Sequence, residues 1–414
     1  MSEAAHKPIR VLFVEHFGVG GLAHYGHSLC QALAERGVKI SFLTASDYEL
    51  ADLPRSFRLL NRLPLWNPHA PDAHRHRGLA RRLEQVGKGI RYLWALCLSL
   101  VTIWRERPDI VHISEMKFPP DLLLFLLPGH SRVVHTCHNV QRFSDAPTGD
   151  IVRTCRLWYY AQSQMYRRCN GIIFHAIENL QEFRRTFGFE PACWAIIPHG
   201  EYDLFAPSQD TPMAEARRAL GLEGGGPIIL FFGMLRRYKG LDVLLEAIAC
   251  LRQSVPEVRL LVAGAPGRDI DVQALYADVQ RLGIEESVTW HVGYIPHEKV
   301  HLYFRACDVV ALPYRKAYES GVLKIAQALG KPVVVTDTGG LASAVERGRA
   351  GVIVPPEDSE ALAQALEDLL SDPVLAESLA ERGQVLARTA FGWAGVAERT
   401  EQFYREVLET TCAY

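Results

Sequence analysis

The chain has 414 residues, of which 48% are hydrophobic and 22% are charged, and its formal net charge at pH 7 is −2. This length predicts two domains, and the near-neutral charge excludes a protein that binds nucleic acid through bulk positive charge. Nine cysteines without C-x-x-C pairs or zinc-finger spacings indicate a reduced, cytoplasmic protein and exclude a disulfide framework.

The N-terminal part of the chain alternates predicted strands and helices. Its first residues are charged and lack the apolar segment of a signal peptide. Apolar and β-branched runs predict strands over 9–14, 39–44, 109–114, 132–139, 171–176 and 194–200. Apolar residues at helical spacing predict helices over 22–36, 122–127, 151–169 and 178–187. This alternation is typical of a mostly parallel sheet.

The first strand and helix are joined by the loop EHFGVGG. Its glycines are not spaced as the G-x-G-x-x-G dinucleotide fingerprint. Gly20 and Gly21 would let a ligand or a facing domain approach the backbone closely. The alternative interpretation is a tight turn.

Region 46–90 contains four prolines and is predicted to be irregular, and the apolar stretch YLWALCLSLVTIW follows at 92–104. Thirteen residues are too few to span a bilayer, which needs about 20, so we predict a buried helix. Basic side chains cluster ahead of the stretch: His74, Arg75, His76, Arg77, Arg81, Arg82, Lys88 and Arg91. Basic residues beside an apolar stretch favour contact with anionic lipid headgroups. A solvated charged face is the alternative.

Proline, acidic residues and a triple glycine over 206–227 predict a linker, after which a second sheet begins. Strands are predicted over 227–233, 258–264, 288–295, 308–314, 333–337 and 351–356. Helices are predicted over 240–252, 270–282, 297–306, 320–330, 358–371, 374–388 and 398–409. We therefore expect an N-terminal domain over 1–205, a C-terminal domain over 206–390, and a last segment, 391–414, that packs back on the N-terminal domain.

Two loops of the predicted second sheet are suited to holding a phosphate. FFGMLRRYKG places Arg236, Arg237 and Lys239 just after a strand, where cations would neutralise a bound or departing diphosphate. Ser320-Gly321-Val322 opens a helix, where backbone N–H groups and the helix dipole favour an anion. Both loops lie at the carboxyl edge of the predicted sheet. Together they favour a phosphate site over a solvated basic loop.

These motifs resemble the C-terminal nucleotide-sugar domain of the retaining glycosyltransferases of family four, also called glycosyl transferases of group 1. The similar segments are FFGMLRRYKGLDVLLEAI, LVAG, DVVALPY, SGVLKIAQALGKPVVVTDTGGLASAV and GVIVPPEDSEALAQAL. GVGGLAHYGHSLCQAL and IPHGEYDLF extend the resemblance into the N-terminal half. The resemblance implies the α/β fold GT-B, two Rossmann-like doubly wound parallel-sheet domains that face each other across a cleft.

The resemblance also implies the roles of individual residues. Arg236 and Lys239 resemble the basic pair that holds the donor diphosphate, and His138 resembles a histidine near the sugar. Met234 replaces the usual arginine of this loop, so Arg236 must do its work, and Asn139 stands where an aspartate is common. The implied donor-binding residues are Gly20, Gly21, Glu319, Ser320, Gly321 and Val322. Among the other histidines, His175 and His199 are secondary candidates, and His135 is predicted to be structural.

The helix-opening segment departs from many relatives, which carry two glutamates separated by seven residues. The corresponding positions are Ala317 and Ile325, so the chain resembles a branch with the sequence SGV, and ribose recognition is unassigned. Glu319 either faces the donor sugar or caps the helix. Glu346 and Glu357 are candidate substitutes for the missing glutamate.

The resemblance implies a retaining hexosyltransferase that uses a nucleoside diphosphate sugar and an acceptor hydroxyl, with no metal ion and no cofactor. The UDP, GDP and dTDP sugars stay open as donors. The acceptor is either lipid-linked, as in cell-surface polysaccharide or glycolipid synthesis, or a small soluble molecule. The basic and apolar residues of 75–104 would give a cytoplasmic protein a peripheral contact with the inner face of the membrane. The alternatives are a nucleotide-sugar epimerase of the same fold and a non-catalytic subunit that binds sugar nucleotide.

Overall fold

The computed structural model describes residues 7–67, 79–116, 118–125, 130–140, 156–202, 211–267, 269–317, 319–346 and 349–410. Their contacts divide the chain into two compact units. The first unit contains the described residues up to Val140, those of 156–200, and those from Trp393 onward. The second unit contains the described residues from Glu201 to Gly392.

The strands are β1 Arg10–Val14, β2 Lys39–Ala45, β3 Arg58–Leu63, β4 Ile110–Ile113, β5 Arg132–Cys137, β6 Gly171–Phe174, β7 Trp194–Ile196, β8 Ile228–Phe232, β9 Arg259–Gly264, β10 Val288–Val292, β11 Val309–Leu312, β12 Val333–Thr336 and β13 Val352–Val354. The helices are α1 Gly21–Glu35, α2 Leu79–Glu106, α3 Arg156–Arg168, α4 Ile177–Phe187, α5 Met213–Ala219, α6 Leu241–Leu251, α7 Val272–Leu282, α8 His297–Ala306, α9 Gly321–Ala328, α10 Gly339–Glu346, α11 Ser359–Ser371, α12 Pro373–Ala390 and α13 Trp393–Glu409. A 3₁₀ helix spans Pro119–Phe125.

Each unit is built on one parallel sheet. The first has seven strands in the order β3-β2-β1-β4-β5-β6-β7, and the second has six in the order β10-β9-β8-β11-β12-β13. The central strands, such as β8 and β11, are buried along their whole length, as expected for apolar runs covered by helices on both faces. The fold prediction is confirmed, because each unit has the doubly wound Rossmann-like arrangement. In both sheets the strand order reverses beside the first strand, where ligands of this fold bind.

The last helix, α13, belongs to the first unit and packs against α1. The hydroxyl of Tyr404 lies 2.5 Å from Nδ1 of His112 in the sheet. A side chain at Gly200 would clash with Trp393, because a Cβ atom there would lie 2.4 Å from that indole ring. These contacts join the end of the chain to the first sheet.

Three predictions about secondary structure were incomplete. Region 46–90 contains β3, an edge strand whose sequence RLLNRL has too few apolar residues to be recognised as a strand. The predicted linker 206–227 contains α5. No helix was predicted over 339–346, but the glycine pair at 339–340 begins α10, and a Cβ atom at Gly339 would lie 2.2 Å from the carbonyl oxygen of Ala317.

The prediction of a short buried helix over 92–104 was wrong in length and in burial. Helix α2 has 28 residues, and its segment Arg82–Glu106 is long and apolar enough to cross a membrane by length and composition. One face packs on the first sheet. The exposed large apolar side chains are Leu83, Val86, Ile90, Leu93, Trp94, Val101 and Trp104. Gly87 and Gly89 lower the helix propensity of the N-terminal half, which concealed it in the sequence.

Candidate functional site

The carboxyl edge of the second sheet brings the two predicted parts of the phosphate site together around Gly233. This glycine follows β8 and has a φ of +92°, in the region that side chains rarely adopt. A Cβ atom there would lie 3.0 Å from Nζ of Lys239 and 3.2 Å from Cγ2 of Val322. The ammonium group after β8 therefore lies beside the first turn of α9.

The start of α9 is capped by Ser320, whose Oγ accepts a hydrogen bond from the backbone N–H of Leu323 at 3.3 Å. N–H groups in the first turn of a helix have no acceptor within that helix, so those of Gly321 and Val322 suit an anion. A Cβ atom at Gly321 would lie 2.8 Å from the hydroxyl oxygen of Tyr202. A side chain at position 321 would therefore displace the tyrosine ring that approaches the helix start.

Lys239 is buried, with 7% of its surface exposed. Burial, together with the nearby positive charge of Arg236, lowers the pKa of Lys239 to about 7. Its Nζ lies 5.4 Å from the centre of the Tyr314 ring. Within the described residues no carboxylate forms an ion pair with it. A bound anion would therefore supply the compensating charge that this ammonium group lacks.

Arg236 is oriented by a carboxylate that the sequence did not reveal. Its Nε lies 2.6 Å from Oδ1 of Asp269, whose side chain is fully buried. The other carboxylate oxygen, Oδ2, accepts the backbone N–H of Arg237 at 2.9 Å. A Cβ atom at Gly267 would lie 2.3 Å from Cδ of Arg236, so the loop after β9 leaves room for only glycine there. Asp269 thus fixes both the side chain and the loop that the prediction assigned to the diphosphate.

Arg315 connects this loop to two other elements. Its Nη1 and Nη2 donate to the two oxygens of Asp242 in the first turn of α6 at 2.8 and 2.7 Å, and its Nε donates to Glu357 at 2.9 Å. Nη1 also donates to the carbonyl oxygen of Arg237 at 2.8 Å. The backbone N–H of Arg315 donates to the carbonyl oxygen of Tyr238 at 2.7 Å. Burial alone would raise the pKa of the Asp242 carboxyl group, but the hydrogen bonds and the positive charge of Arg315, with local backbone N–H groups, make the net shift downward.

The first unit groups three histidines that follow neighbouring strands. His138 follows β5, His175 follows β6 and His199 follows β7, and the ring centres are 4.8 Å apart for the first pair and 5.2 Å for the second. Tyr25 packs its ring against all three. Sequence reasoning singled out each histidine but had no signal that they meet.

Comparison with known proteins identifies the family. The sequence profile of the glycosyl transferases of group 1 matches residues 212–385, and that of glycosyltransferase family 4 matches residues 19–200. A D-inositol 3-phosphate glycosyltransferase of Corynebacterium aurimucosum is 30% identical over 404 residues, which cover 94% of this chain and 91% of that protein. The chain belongs to glycosyltransferase family four. The predicted resemblance is confirmed, and the protein is a glycosyltransferase that acts on a nucleotide sugar.

A further curated relative resembles this family-four glycosyltransferase in sequence, and two solved structures resemble it in fold. A D-inositol 3-phosphate glycosyltransferase of Corynebacterium glutamicum is 28% identical and covers 94% of this chain and 92% of its own length. Sucrose-phosphate synthase of Thermosynechococcus elongatus has a similar fold, with a TM-score of 0.71, 21% identity, and coverage of 96% of this chain and 99% of that one. Anabaena HepE in complex with UDP-glucose has a TM-score of 0.69, 18% identity and coverage of 96% and 99%.

At the two positions where many relatives carry glutamate, this glycosyltransferase has core residues. Ala317 and Ile325 are both buried in the apolar cluster under the second sheet. Ser320 is the side chain that caps α9, and Glu319 lies half-buried beside it. Glu357 pairs with Arg315. The side chain of Glu346 lies outside the described residues.

Two predictions on the first unit concern the loop before α1 and His135. The N–H of Gly20 donates to Oε1 of Glu49 at 2.5 Å, and Nε2 of His24 lies 3.0 Å from the same oxygen. This carboxylate, which sequence reasoning missed, occupies the start of α1 beside Gly21. His135 places Nδ1 2.8 Å from the carbonyl oxygen of Ile113, and burial lowers its pKa to about 4. Its contacts are those of a core histidine.

Proposed function

We propose that this glycosyltransferase transfers a hexosyl group from a nucleoside diphosphate sugar to an acceptor hydroxyl, with retention at the anomeric carbon and without a metal ion. The observation that carries the proposal is that Lys239 and the first turn of α9 lie side by side at Gly233. Lys239 also has a lowered pKa. Arg236, oriented by Asp269, adds a second cation on the same loop. Such a site stabilises the negative charge that develops on a departing diphosphate.

In the proposed reaction the bond between the anomeric carbon and the diphosphate oxygen breaks as the acceptor oxygen bonds to the same face of the sugar. The acceptor proton passes to the departing diphosphate. Lys239, Arg236 and the N–H groups of Gly321 and Val322 neutralise that leaving group, which is the role a metal ion would otherwise fill. The family resemblance assigns His138 to the sugar.

We propose an acceptor presented at a membrane surface, as a lipid-linked sugar would be. The support is the outer face of α2, which exposes apolar side chains including Trp94 and Trp104. Exposed tryptophans and basic residues such as Arg82, Arg91 and Arg105 suit the boundary between headgroups and acyl chains. The protein would then work at the cytoplasmic face of the membrane. The names of the curated relatives favour a second candidate, a small soluble acceptor resembling D-inositol 3-phosphate.

The test is a screen of UDP-, GDP- and dTDP-sugars for hydrolysis and transfer, followed by determination of the anomeric configuration of the product by NMR. We expect a retained anomer and unchanged activity in excess EDTA. Arg236→Ala should lower kcat/KM by about 10²–10³-fold, the usual effect of removing one preorganised charge-stabilising group. Arg281→Ala, which removes an exposed arginine paired with Asp278 in the same unit, is the matched control and should change little.

Each contrary outcome overturns a stated part of the proposal. An inverted product would refute retention, and loss of activity in EDTA would refute metal independence. Conversion of the donor sugar without an acceptor would instead indicate an epimerase. Nucleotide binding without turnover over the whole donor panel would indicate a non-catalytic subunit. Unchanged turnover in Arg236→Ala would remove this loop from the donor site.

A further inference from the structure

The histidines of the first unit form a directional chain of hydrogen bonds. Nδ1 of His175 lies 3.0 Å from the carbonyl oxygen of Ile197, and Nε2 of His175 lies 2.9 Å from Nδ1 of His138. Ile197 is itself held beside the sheet, because its N–H donates to the carbonyl oxygen of Phe174 at the end of β6. The chain thus begins at a fixed backbone group and ends at the ring of His138.

Only one arrangement of protons satisfies this chain when both rings are neutral. A carbonyl oxygen only accepts, so Nδ1 of His175 must carry a proton. In a neutral imidazole the other nitrogen then bears a lone pair, so Nε2 of His175 accepts from Nδ1–H of His138. It follows that Nε2 of His138 has no proton and is a hydrogen-bond acceptor.

The surroundings keep His138 neutral and its ring fixed. Burial, followed by the neighbouring histidines His175 and His199, lowers the pKa of His138 well below its usual value. The Tyr25 ring packs edge-on against His138 with ring centres 4.8 Å apart, and Asn179 donates to the His138 carbonyl oxygen at 3.4 Å. Within the described residues, the buried Nε2 of His138 has no hydrogen-bond partner. An unpaired buried acceptor destabilises the folded protein, so a bound donor would relieve that cost.

We propose that His175 is a positioning residue that holds His138 in the Nδ1–H tautomer, so that Nε2 of His138 accepts a hydrogen bond from a hydroxyl of the sugar substrate. The identity of the hydroxyl-bearing ligand rests on the proposed function. The tautomer itself rests on the geometry of the first unit alone. A residue that hydrogen-bonds to the other ring nitrogen of a histidine orients and polarises the ring that contacts the ligand.

The first test reads the tautomer directly in the ligand-free protein. Long-range ¹H–¹⁵N correlation spectra of histidine-labelled protein distinguish a protonated ring nitrogen from one with a lone pair. We expect Nδ1 of His138 and Nδ1 of His175 to be protonated and both Nε2 atoms to be unprotonated. A protonated Nε2 on His138 would overturn the proposal whether or not the protein transfers sugar.

The second test uses three variants. His175→Phe keeps a ring but removes the acceptor, whereas the carbonyl of His175→Gln can accept from Nδ1–H of His138. His199→Phe is the matched control, because it changes a ring in the same cluster, whose centre lies 6.2 Å from that of His138 and whose Nδ1 lies 2.8 Å from the Gly200 carbonyl oxygen. The His138 spectrum should keep its Nδ1–H form in His199→Phe and His175→Gln and lose it in His175→Phe.

The third test separates positioning from a merely structural role. With the donor that gives turnover in the UDP-, GDP- and dTDP-sugar screen, His175→Phe should lower kcat/KM by about 10–100-fold, and His175→Gln should restore most of the loss. With the monodeoxy donor or acceptor that lacks the hydroxyl in question, His175→Phe should cost nothing further. Equal losses with every monodeoxy substrate would refute the hydroxyl contact, while Arg236→Ala reports separately on the diphosphate site.

Discussion

At the scale of single residues, Lys239 is a cation whose pKa lies in the physiological range. Its ammonium is buried beside another cation, so its pKa lies at about 7 and half of the molecules carry the charge near that pH. A diphosphate bound beside Lys239, as proposed, would favour the charged form and raise the pKa of Lys239. Donor binding at higher pH would then be accompanied by uptake of a proton.

We predict that donor affinity falls as pH rises above 7. A lysine with a pKa of about 7 in the free protein and a higher one in the complex weakens binding by about tenfold per pH unit between those two values. Affinity should level off below pH 6, where the lysine is already charged. Isothermal titration of a nucleotide sugar in buffers of different ionisation enthalpy measures both the affinity and the proton uptake. The nucleotide sugar is the right probe, because its diphosphate does not titrate in this range.

Lys239→Arg is the control for this prediction, since a guanidinium stays protonated. Its donor affinity should be nearly constant between pH 6 and pH 9, with no proton uptake. A wild-type affinity that is equally flat over this range would contradict the assignment of Lys239 to the diphosphate.

At the scale of elements, the sequence predicted those whose signals are local. Helix α9 was predicted because a capping serine precedes it and Gly330 follows it. The central strands were predicted because their residues are continuously apolar. Asp269 and Tyr202 were missed because each meets its partner through the fold, far from that partner along the chain. For the same reason the pattern placed Lys239 correctly after β8 but gave no sign of its burial.

Arg315 shows how elements distant in sequence hold the loop that carries Arg236, Arg237 and Lys239. We predict that Arg315→Met lowers the free energy of unfolding by about 1–2 kcal/mol, because it leaves Asp242 and Glu357 without their partner while both carboxylates stay partly solvated. It should also weaken nucleotide-sugar binding by about tenfold, because the loop carrying Arg237 loses its anchor. Urea denaturation and isothermal titration measure the two effects.

Arg281→Met is the matched control for that variant. The same substitution breaks an exposed pair with Asp278 on α7, and it should change either quantity by less than about 0.5 kcal/mol. Full donor affinity in Arg315→Met would show that the loop keeps its shape without this guanidinium.

At the scale of the whole molecule, the outer face of α2 is the feature that a soluble catalyst does not require. Its inner face packs on the first sheet, so the helix lies along the domain. Of its most apolar 18-residue segment, 33% is buried. The exposed positions Leu83, Val86, Ile90, Trp94, Cys97, Val101 and Trp104 recur at three- and four-residue spacing and form one stripe. A bilayer surface and a second copy of the chain are the two occupants that suit such a stripe, and the exposed arginines favour anionic lipid.

We predict that the protein floats with vesicles of phosphatidylcholine and phosphatidylglycerol and much less with phosphatidylcholine alone. Trp94→Ser combined with Trp104→Ser should lower the partition coefficient by about tenfold or more, because both indoles lose their place at the interface. Replacing Arg82 and Arg91, which are both exposed, should lower it in low salt and have little effect in 0.5 M salt, where exposed charges are screened. Tyr159→Ser with Tyr160→Ser removes exposed aromatic rings elsewhere in the first unit and is the matched control. The opposite result would be a protein that does not bind vesicles and that sediments as a dimer. If the tryptophan substitutions dissociate that dimer, the stripe contacts a second copy of the chain instead.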